Sequence, residues 1–470
     1  MNTDEYINTL TEQIRCKKAR HAVAEEIWAH IEDQKQEYLC EGADEAEAEE
    51  MAVKEMGDPI EAGVALDTIH RPKMAWGMIA LMSVLSILGL VLQYLVHLDL
   101  SKLQDNVNYP GSPVRYIIDG ITPNTVIVVI LGLAAMILVC YLDYSRIGLR
   151  SKEITVFLFL AIILWQWAAG LKVNGRQDWI PVGSIEVSIS MLIYLFIPLY
   201  AGIIYNNRGK SYMGFFESIL WMLPALFISI RIPSAVTTIV LLLTFAVILT
   251  AAVSRGWFRV SRKYTIGGMW AAIALFPAFL YILAKCFGNE YQIYRLQAYA
   301  GRLTQWITNP DGNIFYLTKP VNQMLSGGRL IGAGELPDTA AAVLGKGNYY
   351  MLTYVAAFYG ILAAAALAGA VIFVFFRFFR ISLRQKNQLG MIMGAGCSAA
   401  FLLQTAAYII NNLGIIPTEI NAPFISYGGA GTVVTYILLG LLLSIYRYQN
   451  VLPAGILQEH YTGKPQNHSS

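Results

Sequence analysis

Apolar residues in this chain arrive in long unbroken blocks. Met74 to Val96 and Thr125 to Leu142 each hold enough of them to cross a hydrocarbon core roughly 30 Å thick. The same pattern predicts spans at 74–96, 124–143, 153–170, 185–205, 213–230, 235–252, 264–286, 349–376, 390–412 and 425–446, about ten transmembrane helices in all. Residues 1–70 are patterned differently, as three or four short amphipathic helices. Asp44 is placed to cap a segment ending near Met56, and Gly57-Asp58-Pro59 marks a break after it. The apolar positions Ile14, Val23, Ile27, Ile31, Met51, Val53, Val64 and Leu66 suffice for a miniature core or for a partner's groove. The predicted fold class is all-α. It comprises a cytoplasmic helical domain at 1–70, a polytopic membrane domain at 74–447 and a cytoplasmic tail at 448–470.

Composition agrees with a membrane class, since 56% of the 470 residues are hydrophobic and 14% charged. The net charge of +2 conceals an asymmetry. Residues 1–70 hold 18 Asp or Glu against 6 Lys or Arg, a balance of −12 that leaves +14 for the rest. An acidic module of this kind argues against nucleic acid or anionic lipid as its partner. The basic excess sits in short loops: Arg146, Arg150 and Lys152, then Arg208 and Lys210, then Arg255, Arg259, Arg262 and Lys263, then Arg377, Arg380, Arg384 and Lys386. This is the positive-inside pattern, and it predicts a multi-pass protein of the cell membrane with both termini cytoplasmic. The predicted outer segments are longer, notably 97–123 and the large loop 287–348. The aromatic residues of that loop suggest short amphipathic pieces on the membrane surface. Met74 to Val96 lies behind a charged module without a cleavage pattern and reads as a retained span rather than a signal peptide. The five cysteines have neither metal-ligand spacing nor an evident disulfide framework.

Near the carboxyl end the chain reads Gly414-Ile415-Ile416-Pro417 and then Ala422-Pro423-Phe424-Ile425-Ser426-Tyr427-Gly428-Gly429. Pro423 and the paired glycines open the backbone at membrane depth, which is tolerated only where the freed groups face protein or a polar cavity. The string closely resembles the signature of the SEDS family (shape, elongation, division and sporulation proteins, the FtsW/RodA/SpoVE group). Further stretches fall in the family's order. Asn174-Gly175-Arg176 and Trp179-Ile180-Pro181-Val182-Gly183 follow the third span. Tyr291-Gln292 with Arg295, Asn309-Pro310, and Ser326-Gly327-Gly328 with Gly332 and Gly334 lie in the large loop. Gln404 and Asn412 match polar positions of the penultimate helix.

The resemblance covers residues 74–447. It implies a protein that binds a polyprenyl-pyrophosphate-linked disaccharide-peptide at the outer membrane face and polymerises it into peptidoglycan strands. The process would be division, shape or sporulation, with a cell-wall transpeptidase as partner, and the substrate-binding candidates are then Arg176, Trp179, Arg295, Ser326, Gly327, Gly328, Gln404, Asn412, Pro423, Ser426, Tyr427, Gly428 and Gly429. Such glycosyl transfer wants a carboxylate base near the acceptor and positive charge near the phosphates. The resemblance names no certain cofactor and no protein-held metal, although a divalent cation would suit the pyrophosphate.

The ionisable positions of the family pattern are missing here. Aligned on Gly360, the family's catalytic Asp falls on Tyr349, and a phenol with a reference pKa near 10 is a poor base at neutral pH. The Gln-Pro-Ser-Glu-x-x-Lys string of the fourth span becomes Ser188-Ile189-Ser190-Met191 and Tyr194, and a Gln-Pro-Asp turn becomes Ile232-Pro233-Ser234. Glu335 and Asp338 are the nearest acidic replacements, with Arg176, Arg231 and Arg329 as charges for phosphates, and each equally fits a solvated loop charge. Glu217 reads as a residue that reaches the interface. Three readings stay open at this level: a glycosyltransferase with a re-sited base, a catalytically degenerate scaffold or regulator that binds precursor, and a translocase of that lipid.

Overall fold

In the computed structural model the described residues are all except 107–122, 170, 174–175, 183–184, 232–234, 288–317, 338, 345–347, 386, 416–419, 427–429, 450 and 452–470. The amino-terminal module is four helices, α1 (Thr3–Glu12), α2 (Lys17–Glu41), α3 (Glu45–Glu55) and α4 (Pro59–His70). Local chemistry sets their ends. Asn2 and Glu5 form a reciprocal capping box at α1, Asp44 accepts from the Glu47 N–H at 2.7 Å, and Asp58 caps α4 with Pro59 behind it. Gly42 closes α2 at a φ of 101°. Tyr6, Leu10, Ile14, Val23, Ile31 and Val53 form the core, and Ile27 and Leu66 pack against it. Met51 and Val64, expected among the apolar positions, are instead exposed, because α3 and α4 each turn another face inward. Val451, from the far end of the chain, completes this core, and Tyr448 packs on it.

The membrane body follows with α5 (Trp76–Asn106), α6 (Pro123–Tyr141), α7 (Tyr144–Leu149) and α8 (Ser151–Ala169). A three-stranded antiparallel sheet comes next, of β1 (Leu171–Val173), β2 (Arg176–Val182) and β3 (Ile185–Ser188). Then come α9 (Ile189–Leu192), a 3₁₀ turn, α10 (Phe196–Asn206), α11 (Tyr212–Leu220), α12 (Leu223–Arg231), α13 (Ala235–Ser254) and α14 (Arg262–Phe287). Beyond the large loop lie α15 (Thr318–Ser326), α16 (Ala340–Leu344), α17 (Met351–Tyr359), α18 (Ile361–Leu383), α19 (Gln388–Asn412) and α20 (Ala430–Arg447). Among the described residues seven helical stretches are long and apolar enough to cross a membrane, and Thr125–Tyr141 and Gly431–Arg447 are shorter apolar helices.

The expected all-α membrane architecture is borne out, with the small sheet as an addition that the apolar pattern did not announce. Several boundaries move. The span expected at 185–205 begins as strand, and 213–230 is split at Trp221–Met222 ahead of Pro224. The span expected at 349–376 is two helices broken at Gly360. α5 runs on to Asn106, through what was assigned to an outer segment.

Burial sorts the helices into layers. The stretch Gln388–Asn412 is 83% buried, against 33% for Trp76–Asp99 and 22% for Ser151–Ala168, so α19 is the axis and α5 and α8 lie outside. Small residues let it sit there, as at Gly394 against Ser382 and Gly396 against Ile248. α20 runs along α6, where Gly440 meets the Met136 carbonyl. The loops rich in Arg and Lys gather with the amino-terminal module at one end of this bundle. There Lys73 N–H donates to Arg447 O, Asn206 donates to the Gly148 carbonyl, and Arg208 donates to Gln388. Glu217 does reach this end, where Lys152 and Lys210 both pair with it, at 2.5 and 2.8 Å.

Candidate functional site

The opposite end is organised around the break at Gly360. Its φ of 108° is open to glycine alone at low cost, and a Cβ there would lie 2.7 Å from the Leu330 carbonyl. The break frees main-chain groups that residues 329–334 take up. Gly332 N–H donates to Tyr359 O at 3.1 Å, Gly334 N–H to Ala357 O at 2.8 Å, and Ile361 N–H to Arg329 O at 2.9 Å. Gly327 and Gly334 pack backbone to backbone, and Glu335 N–H donates to Gly327 O at 3.0 Å. Of the candidates in this segment, Gly327, Gly328 and Gly334 thus close a tight loop against the break. Ser326 is exposed, with its hydroxyl donating to Gln323 O.

Asn348 and Tyr349 lie just before α17 in a cradle of side chains from α19 and the signature segment. Asn411 and Asn412 donate to the Tyr349 carbonyl at 2.8 and 3.0 Å. Ser426 and Tyr408 donate to the Asn348 carbonyl at 2.6 and 3.2 Å. Asn412 Oδ1 accepts from the Thr353 N–H at 2.9 Å, and Tyr408 OH accepts from Met351 N–H at 3.1 Å. In this buried setting an unpaired peptide group would be costly, so the polar positions of the penultimate helix hold the backbone at the position of the family's acid. The Tyr349 ring itself is half-buried against the core.

Beside this cradle a small cleft, with room for about one water molecule, is lined by Met191, Gln404, Asn421, Ala422, Pro423, Ser426, Gly431, Thr432 and Thr435. Ala422 and Pro423 shape its wall, and Phe424 turns into the core behind them. Phe424 has a φ of 66°, a strained value for a side-chain-bearing residue, and is held by rings stacked on it in series, Phe375 at 5.9 Å and Phe401 4.7 Å further on. Gln404 Nε2 donates to the Asn421 carbonyl at 2.7 Å. Met191, where the family pattern has its Glu, packs on Gly431. Every one of these lining residues is uncharged. That room is far below that of a small-molecule pocket, so in this conformation the cleft takes no more than one small group of a ligand.

The sheet leads into this cleft. Trp179 pairs with Leu171 on one side and Ser188 on the other, and Arg176 pairs with Val173. β3 runs directly into α9, which carries Met191. Asp338, Arg295, Tyr427, Gly428 and Gly429 lie outside the described residues, as does the 232–234 turn. Glu335 is exposed, away from the cleft lining. The structure instead brings a carboxylate that the sequence reading missed. Asp99, on the extension of α5, accepts from the buried Tyr354 hydroxyl at 2.7 Å, and Gln93 Nε2, also on α5, donates to Asn348 Oδ1 at 2.8 Å. One available signal was a lone acid after an apolar run at membrane depth. Among the described residues no group of three or more His, Cys, Asp or Glu is disposed to hold a metal.

A family model described as a cell cycle protein, spanning FtsW, RodA and SpoVE, matches residues 75–451. A protein named probable peptidoglycan glycosyltransferase FtsW, from Aliivibrio salmonicida, is 23% identical over 377 residues, 76% of this chain and 86% of its own. A chain from a structure of a peptidoglycan synthase complex, described as coordinating polymerization and crosslinking, superposes with a TM-score of 0.59 at 19% identity. It covers 80% of this chain and 99% of its own. The rod shape determining protein RodA of Thermus thermophilus superposes with a TM-score of 0.52 at 16% identity, over 80% of this chain and 97% of its own.

Proposed function

The chain belongs to the FtsW/RodA/SpoVE family of cell cycle proteins, and from that premise we propose that it serves peptidoglycan synthesis with both termini in the cytoplasm. In that orientation the cleft lies on the outer side and meets one group of the head of a polyprenyl-pyrophosphate-linked disaccharide-peptide. The observation that carries this reading is the cleft lining. Asn421 brings a side-chain oxygen that is buried with no hydrogen-bond partner among the described residues, beside the amide of Gln404, and such groups pair with sugar hydroxyls and peptide amides. Trp179, Arg176, Arg295, Tyr427, Gly428 and Gly429 are proposed as further contacts, the arginines for the pyrophosphate. The relative named for glycosyl transfer and the synthase complex support a cell-wall transpeptidase as partner.

A second reading concerns turnover and rests on the same lining. With Met191 and Tyr349 in place of acids, no described residue lining the cleft is a base, and general-base assistance typically contributes about 10²- to 10⁴-fold. Polymerisation by this protein alone is then weak or absent while precursor binding persists. Should it be active, the base sits elsewhere, on Asp99, Glu335 or Asp338. The test is binding of lipid-linked disaccharide-peptide to purified protein, alongside glycan-strand formation with and without a transpeptidase. Binding without strands is expected. Failure to bind precursor removes the functional proposal, whereas vigorous polymerisation removes only the second reading, and Asp99→Asn, Glu335→Ala and Asp338→Ala then locate the base.

A further inference from the structure

The balance of −12 over residues 1–70 is unevenly spread. α3 carries charge at Glu45, Glu47, Glu49, Glu50, Lys54 and Glu55. α4 is different. Its ionisable residues are only Glu61, Asp67 and His70, and its outward face carries Ile60, Val64 and Ile69 alongside the exposed Glu61 and Thr68. Gly63 and Leu66 turn to the module's interior, while Ile60, Val64 and Ile69 are 51%, 54% and 58% exposed. An outward face with three large apolar side chains is expected to be covered.

The basic residues show what lies near. Arg15, Lys17, Lys18 and Arg20 fall at the junction of α1 and α2, and Arg71 and Lys73 follow α4. These two places are tied together, since Asp67 near the end of α4 accepts from the Arg15 N–H at 2.8 Å and lies 3.7 Å from its guanidinium. The same junction faces the bundle, because Cys16 and Tyr448 both pack on the module's core and Tyr448 directly follows α20. Residues Arg71–Ala75 then join α4 to α5, a reach of at most about 20 Å. Trp76, the first residue of α5, is 66% exposed, as suits an indole at a membrane interface.

We infer that the amino-terminal module lies on the bilayer, with the outward face of α4 sunk into the headgroup boundary and the basic edge against anionic lipid. The apolar face removes Ile60, Val64 and Ile69 from water, and the cations gain from the negative surface potential. α3 holds five of the module's 18 acids on a helix other than α4, so the overall balance of −12 does not describe the face that α4 presents. The inference is independent of what the cleft binds.

The test uses the full chain in lipid nanodiscs, in a Cys40→Ser background whose residual labelling is subtracted. A fluorophore is placed at Ile60→Cys, Val64→Cys, Trp76→Cys or Glu47→Cys, and quenching by nitroxide-labelled lipid is measured. Quenching at 60 and 64 is expected to approach that at 76 and to exceed that at 47 at least twofold. Arg15→Gln with Lys17→Gln should weaken it in phosphatidylglycerol discs and leave it unchanged in phosphatidylcholine discs. Quenching at 60 and 64 no greater than at 47 overturns the inference, whether that face meets water or a protein. Quenching that ignores both the basic residues and the lipid charge overturns the assigned basic edge.

Discussion

At the module end of the bundle Glu217 draws in Lys152 and Lys210, each of the three side chains between 35% and 45% exposed. At the cleft end the buried side chains of Asn411, Asn412, Tyr408 and Ser426 hold the main chain of the exposed Asn348 and the half-buried Tyr349, with no ion pair among the described residues. Polarity therefore does different work at the two ends. In a half-exposed setting an ion pair gains little over water, so the charges there give orientation and surface chemistry more than stability. In the buried setting each amide satisfies a peptide group that would otherwise be stranded, and the arrangement stabilises one backbone path.

Asn412→Ala is the sharpest way to break this comparison. It strands the Thr353 N–H and removes a donor from the Tyr349 carbonyl, and with about 1–3 kcal/mol for each buried group left unpaired, a loss on the order of 3 kcal/mol is expected. The melting temperature of the solubilised protein measures it. A change no larger than that of Glu217→Gln would erase the distinction between the ends. Gly360→Ala tests the break itself. It forces a side chain into a φ of 108° and against Leu330 O and Ile331 Cα, at a cost of about 2 kcal/mol. Protease sensitivity within 327–335 should rise with the fall in melting temperature, and an unchanged loop would detach it from the break.

Smaller effects are expected at the module end. Glu217→Gln should cost about 1 kcal/mol or less and should matter least in high salt, where exposed pairs are screened. A salt-independent loss would place that carboxylate in the other class. Smallest is a pH effect at Glu49, whose carboxyl is held below its usual value by the N–H and hydroxyl of Thr3, at 2.9 and 2.8 Å. A lowered folded-state pKa means this contact contributes stability above the unfolded-state value, near 4.5, and loses it as pH falls through the lowered one. Helicity of the full chain followed from pH 6 to pH 3 should show a slightly earlier acid transition in Thr3→Val, and coincident curves would remove Glu49 from the account.

What the sequence determined by itself was whatever depends on neighbours along the chain. Apolar runs of sufficient length must become spanning helices because lipid offers their peptide groups no other partner. Asp44, Asp58 and Gly42 mark helix ends through bonds that reach only two to four residues. The family signature was legible in the same way, as an ordered string. Tertiary structure alone decided what the polar residues do. Asp99 meets Tyr354 of α17, a bond between residues 255 positions apart, and Asn412 reaches Tyr349 across 63. Val451 enters a core whose other members lie in residues 6–53. The break at Gly360 is likewise invisible in an unbroken apolar run, because its cost is met by the carbonyls and N–H groups of 329–334, which only folding brings alongside. Side-chain polarity states that a partner is needed, and the path of the rest of the chain settles which one it meets.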